Sequence, residues 1–234
     1  MTSRTAVVTG GGTGIGRAIA LDLVARGLDV VITGRRADVL AQVPGVRAVA
    51  FDATDPAAVE RALADLPDTV DVLVNNAGGA PDGDSSTLAG VRENWLANYE
   101  SNVISAVLVT TALTPRFADQ ARVVTLGSIA GRRGGGSYGA AKAAVEAWTA
   151  DLARSLGPRG ITANVVSPGY VEDTEFFGDS MSTTRRTTLI AQTATGRAGT
   201  PADVAAVVGF LTSPEAGHVT GQVVPVNGGA HLGR

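Results

Sequence analysis

Short apolar runs rich in β-branched residues alternate along this chain with longer stretches in which apolar positions recur at helical spacing. The runs at 5–9, 30–33, 46–51, 70–74, 122–126 and 161–166 place apolar side chains on successive positions, not on alternate ones. That is the pattern of a strand covered on both faces. Between them, segments such as 15–26, 56–66 and 138–156 have the period of helices. Strand, helix and strand in regular repetition predict parallel pairing, because a parallel partner is reached only through a long crossover. Right-handed crossovers then place helices on both faces of the sheet. The predicted fold class is α/β, a doubly wound parallel sheet of the Rossmann kind, built as one domain over 1–234.

Two stretches break the alternation. Residues 78–87 (GGAPDGDSST) are turn-rich, and 170–200 is polar, threonine-rich and weakly periodic. Both follow predicted strands, and ligands in open α/β sheets bind beyond the carboxyl ends of strands. They are either walls of a site, with the longer one a substrate lid, or ordinary surface loops. Phe176, Phe177, Met181 and Leu189 either line an apolar pocket there or pack the lid onto the body.

Composition narrows the chemistry. The chain has no cysteine and only two histidines, His218 and His231, so thiolate and imidazole metal sites lack ligands and no metal is expected. Net charge is −3 and the basic pairs, Arg35-Arg36, Arg132-Arg133 and Arg185-Arg186, are scattered, which argues against a nucleic-acid partner. No apolar run approaches the roughly 20 residues of a membrane span, and Met1 to Arg4 lead into a strand without a signal-peptide core. A cytoplasmic protein with no membrane partner is expected.

The segment Thr9 to Gly16 (TGGGTGIG) follows the first strand and opens a helix. Glycines there permit positive φ and close backbone approach, and the helix N-terminus attracts a pyrophosphate. Gly10, Gly12, Thr13, Gly14, Ile15 and Gly16 are therefore the candidate dinucleotide turn, or else a tight structural one. After the second strand, where an acid would bond the ribose of NAD, stand Arg35 and Arg36. Guanidinium groups suit the 2′-phosphate of NADP, although two solvated arginines beginning a helix would look the same. Asp52, followed by Ala53, either bonds an adenine amino group or caps the helix near Pro56. Asn75, Asn76, Ala77 and Gly78 end the fourth strand; buried amides need several partners, so these face a ligand or shape a turn.

Of nineteen basic residues one is lysine, Lys142. Tyr138 lies four residues earlier on the same predicted helix, and i and i+4 share a face. A nearby ammonium stabilises a phenolate and lowers a tyrosine's pKa, which makes Tyr138 a general acid/base; a surface Tyr/Lys pair is the bland alternative. Ser137 stands where an N-cap is expected.

Taken in order, the Thr9 to Gly16 turn, Asn75 to Gly78, Asn102, Gly127-Ser128, Tyr138-Gly-Ala-Ala-Lys142, Asn164 to Gly169, Arg197 to Pro201 and Thr220 to Gly229 resemble the short-chain dehydrogenase/reductase family, especially members of the 3-oxoacyl carrier-protein reductase type. The resemblance implies an NADP(H)-dependent enzyme, with NAD(H) also possible, acting on a small carbonyl or alcohol substrate. It implies that Tyr138 protonates the carbonyl oxygen, Ser128 polarises it, Lys142 binds the nicotinamide ribose and Asn102 holds a water that feeds Lys142. Pro168, Gly169, Val171 and Thr174 would orient the carboxamide. It implies a homo-oligomer, dimer or tetramer. Two departures stand out. Ser128 and Tyr138 are closer in sequence than in many members, and one extra residue precedes Thr174. A non-catalytic dinucleotide sensor or scaffold of the same fold is the alternative function, and a nucleotide-sugar or S-adenosylmethionine enzyme would leave the Tyr/Lys pair unexplained.

Overall fold

The computed structural model describes residues 3–176 and 181–232. Its strands are β1 (Thr5–Thr9), β2 (Asp29–Gly34), β3 (Arg47–Ala50), β4 (Val70–Asn75), β5 (Phe117–Leu126), β6 (Thr162–Pro168) and β7 (Val223–Val226). They form one seven-stranded sheet in the order β3-β2-β1-β4-β5-β6-β7, with every neighbouring pair parallel. Six strands stand where the apolar runs predict them. β5 begins earlier, at Phe117, because Phe117 pairs with Val70 across a register shift. The pattern predicts no strand at 223–226. β7 is a short edge strand containing Pro225 and no fully buried residue, and an edge is where a strand tolerates proline.

The helices are α1 (Gly14–Ala25), α2 (Ala37–Leu40), α3 (Pro56–Ala62), α4 (Leu88–Tyr99), α5 (Ser105–Leu113), α6 (Ala130–Arg133), α7 (Gly136–Leu156), α8 (Thr183–Ala191) and α9 (Pro201–Leu211). Successive strand residues divide between the two faces, as a period of two requires. Val8, Ile32, Val74 and Val124 pack with Ile19 and Leu23 of α1 and Val208 of α9. Val7, Val31, Leu73 and Val123 pack with Val109 and Leu113 of α5 and Leu156 of α7. The sheet order reverses between β1 and β4, so the chain leaves these two strands in opposite directions and a crevice opens beyond Thr9 and Asn75.

The weakly periodic stretch 170–200 is not all loop. It contains α8, begun by the Ser182 hydroxyl accepting from Arg185 N. The pattern hides this helix because none of its residues is buried, so no apolar stripe marks it.

Helix α6 lies unusually close on α7. A Cβ on Gly139 would stand 2.7 Å from the carbonyl oxygen of Ala130, and one on Gly131 would stand 3.1 Å from Ala143 N. This approach carries the segment after β5 back against the start of α7. Gly139→Ala should therefore destabilise the protein by about 1–3 kcal/mol, the cost of overpacking, even though alanine is the better helix former by about 1 kcal/mol. Thermal unfolding checks this; a midpoint equal to or above that of the wild type would show that the contact does not constrain α6.

Candidate active site

The turn between β1 and α1 is shaped by its glycines. Gly10 has φ +64°, and a Cβ on Gly16 would collide with the carbonyl oxygen of Gly10 at 2.2 Å. No side chain caps α1, whereas Asp55, Thr87 and Thr200 cap α3, α4 and α9. Gly12, Thr13, Gly14 and Arg17 instead line an open cleft of about 580 Å³, with Asp173 and Thr174 opposite. Amides without a side-chain cap at the positive end of a helix, facing open space, fit a pyrophosphate. Ile15 packs against the core beneath the turn.

The end of β4 is tied to this turn. Asn76 Nδ2 donates to the carbonyls of Thr9 (2.9 Å) and Gly10 (3.0 Å), while Thr9 Oγ1 accepts from Asn76 N and Ala77 N. Asn75 Nδ2 donates to Thr110 Oγ1 on α5. Both amide nitrogens thus bond to protein acceptors and hold three elements in register, which is the structural part that the turn reading gave them. Gly78 follows, close enough to its neighbours that a Cβ there would meet Asn102 Oδ1 at 2.5 Å and Lys142 Nζ at 3.5 Å.

Arg35 and Arg36 are exposed just past β2. Arg36 donates to Glu175 Oε2 at 2.8 Å, a partner that sequence separation conceals. Asp52 accepts from Thr54 N and Thr54 Oγ1, which hold its carboxyl below the usual range with a smaller contribution from the charge of Arg35. The cap before Pro56 is Asp55, not Asp52. Ala53 packs against the core below.

The candidate reacting groups collect at the carboxyl end of β5. Ser128 follows that strand, and its hydroxyl is near enough to Tyr138, at the start of α7, to favour the phenolate. Ser128 Oγ also accepts from Ala130 N at 3.2 Å. Ser137 is not the N-cap. Helix α7 begins at Gly136 with Gly135 before it, and Ser137 Oγ instead donates to Asn94 Oδ1 of α4 at 2.5 Å. Lys142 is 5% exposed; its Nζ donates to the carbonyl of Leu126 at 2.8 Å and lies 5.8 Å from the centre of the Tyr138 ring. Burial draws Lys142 down to about 8.

Tyr138 departs from expectation in sign. Burial pushes its hydroxyl up to about 12, and the nearby Ser128 hydroxyl opposes this only in part. Desolvation disfavours the phenolate, the ammonium is aimed at the Leu126 carbonyl, and the ring of Phe176 lies against Tyr138 with centroids 5.4 Å apart.

Asn102 is buried in a π-helical turn, Glu100–Ile104, between α4 and α5, the kind of bulge that often accompanies function. Its Nδ2 donates to Gly79 O at 2.7 Å and Asn98 O at 2.9 Å, and its Oδ1 accepts from Gly79 N.

Beyond β6, Ile129 N donates to Pro168 O and Gly169 N donates to Val226 O, while Val171 bridges to Gly199. The extra residue before Thr174 is accommodated with Asp173 at φ +58°. Thr174 still reaches the glycine turn, its side chain 3.4 Å from where a Cβ on Gly14 would lie. Phe176 packs on Tyr138, and Phe177 lies outside the described residues.

The sequence profile described as Enoyl-(Acyl carrier protein) reductase matches residues 10–231. The chain is 34% identical to the 3-oxoacyl-[acyl-carrier-protein] reductase of Vibrio cholerae, over 98% of both chains. It is equally 34% identical to the cyclohexanol dehydrogenase of a Rhodococcus species, over 97% of this chain and 95% of that one. A short chain dehydrogenase from Burkholderia cenocepacia, solved in complex with NADP, superposes with a TM-score of 0.86 at 35% identity and 98% coverage of each. This chain belongs to the short-chain dehydrogenase/reductase family of oxidoreductases.

Proposed function

We propose that the protein is an NADP(H)-dependent oxidoreductase that interconverts a ketone and a secondary alcohol, with Tyr138 as general acid/base. The observation that carries this reading is the convergence of Ser128 and Tyr138 at the carboxyl end of β5, with buried Lys142 one helical turn further on. When bound, the nicotinamide supplies or accepts the hydride. Ser128 donates to the substrate oxygen and polarises it. Tyr138, protonated at neutrality because burial holds its hydroxyl high, gives that oxygen its proton in the reductive direction. In the oxidative direction Tyr138 must first lose a proton, which its burial resists. Asn102 fixes the backbone of Gly79 and, through it, the loop beside Lys142. The backbone at Pro168, Gly169 and Val171, with Thr174, walls the cofactor side, and 170–200 serves as the lid.

Arg35 and Arg36 are the partners of the 2′-phosphate, a reading supported by the NADP carried by the Burkholderia relative. Leu88, Val91, Trp95 and Tyr99 are exposed along one face of α4, at the spacing of a single helical stripe. We assign that face, with the small residues Ala140, Ala144 and Ala147 of α7, to the interface of a homo-oligomer.

Tyr138→Phe should keep NADPH affinity within a few fold, since ring packing persists, and lose more than nine-tenths of kcat, since a positioned acid contributes about 10²-fold or more. Retained turnover at a tenth of wild type or above counts against the role.

The two serines separate cleanly. Ser128→Ala should lower kcat/KM by on the order of 10²-fold, the scale of losing one oxyanion donor. Ser137→Ala should cost about 1 kcal/mol of stability through its lost bond to Asn94 and leave turnover near wild type. Paired turnover and thermal-midpoint measurements decide it, and the reverse ordering of catalytic losses would transfer the role to Ser137.

Cofactor preference is the third expected outcome. A charge-assisted contact contributes about 1.5–3 kcal/mol, so kcat/KM should favour NADPH over NADH by roughly ten- to a hundredfold, and Arg35→Ala should erase most of that margin. Equal use of both cofactors by the wild type would remove the arginines from this role.

A further inference from the structure

One of the two arginines that follow β2 is already engaged by the protein itself. Arg36 Nη2 donates to Glu175 Oε2 at 2.8 Å, a contact between the end of β2 and the segment after β6. The two side chains are 57% and 61% exposed, and an exposed pair of this kind contributes little to folding. Asp38 is the other acidic group near enough to act on Arg36. Glu175 lines the same cleft as Gly12, Thr13 and Gly14, so its carboxylate sits where the anionic part of a dinucleotide must pass. A carboxylate and a phosphate offer a guanidinium the same paired-oxygen geometry.

We infer that Glu175 is a specificity-determining residue for the cofactor: it occupies Arg36 in place of a 2′-phosphate and competes with that phosphate for the guanidinium. This rests on the reading of Arg36 as a 2′-phosphate partner. Arg36 gains from NADP(H) only the difference between two charge-assisted bonds, because one must be broken to form the other. Toward NAD(H), which has no 2′-phosphate, the Arg36–Glu175 pair stays closed and no exchange is required. Glu175 therefore narrows the preference that Arg35 and Arg36 create, and it does so through Arg36.

The test is a double-mutant cycle read as binding by titration calorimetry, on the full chain, for wild type, Glu175→Gln, Arg36→Ala and the double variant. The probes are NADPH, NADH, adenosine 2′,5′-bisphosphate and AMP, so that the phosphate is varied with and without the nicotinamide. Glu175→Gln should tighten NADPH and the bisphosphate about three- to fivefold, the range open to an exposed ion pair. NADH and AMP should be unchanged. The gain should vanish on the Arg36→Ala background, since non-additivity marks groups that share a partner. No gain, an equal gain for NADH, or a gain that survives Arg36→Ala each overturns the role of Glu175. Arg36→Ala alone tests the underlying reading. If it weakens NADPH and the bisphosphate but not NADH and AMP, while Glu175→Gln does nothing, the phosphate reading stands and only Glu175 is wrong. If it leaves all four unchanged, both fall.

Discussion

A buried ammonium with no carboxylate beside it among the described residues governs the architecture of this site. Lys142 is almost fully enclosed, its one hydrogen-bond partner among the described residues is the carbonyl of Leu126, and burial alone lowers its proton affinity. Such a group is costly to keep charged, and its surroundings are arranged around it. The Leu126 carbonyl stands at the last position of β5, so the sheet fixes the acceptor. Gly78 leaves no volume for a side chain between Asn102 and the ammonium. Asn102 in turn grips both backbone groups of Gly79, which keeps that loop from collapsing onto the lysine.

The same desolvation acts on Tyr138 with the opposite consequence. A neutral phenol gains from burial where an ammonium loses, so the pair is held with the tyrosine firmly protonated and the lysine within reach of neutrality. Through-space attraction between them does not set this balance, because the ammonium is turned toward the strand. Helical spacing therefore identifies the partners correctly and misleads about the sign: i and i+4 say that two side chains share a face, and nothing about which atoms point at one another.

Much of the fold is legible in the sequence because it rests on local period. Strand runs, the helices at 15–26 and 138–156 and the glycine turn all follow from neighbours along the chain. Ser128 and Tyr138 could be paired because one ends a strand and the other begins a helix. What escapes reading lies in contacts between distant segments or in elements with no buried stripe. β7 is a four-residue edge strand, α8 buries nothing, and the Ser137–Asn94 bond that displaces the expected cap joins two helices. Arg36 and Glu175 are 139 positions apart, and no charge pattern in either segment announces the other.

The short connection between Ser128 and Tyr138 separates the placement of the two hydroxyls from the length of the segment that joins them. Ser128 is positioned by the sheet and Tyr138 by a long helix packed through Gly139, so neither end depends on the length of what joins them. The slack is taken up by Gly134 and Gly136, both at positive φ with open space where a side chain would stand. A chain can thus shorten this segment, and reshape the opening it borders, without moving the hydroxyls. Substrate identity is correspondingly weakly encoded at the proposed reacting groups. Relatives whose names specify an acyl-carrier substrate and a cyclic alcohol are matched at the same 34% identity, as expected if discrimination resides in variable walls and proton transfer in the fixed frame.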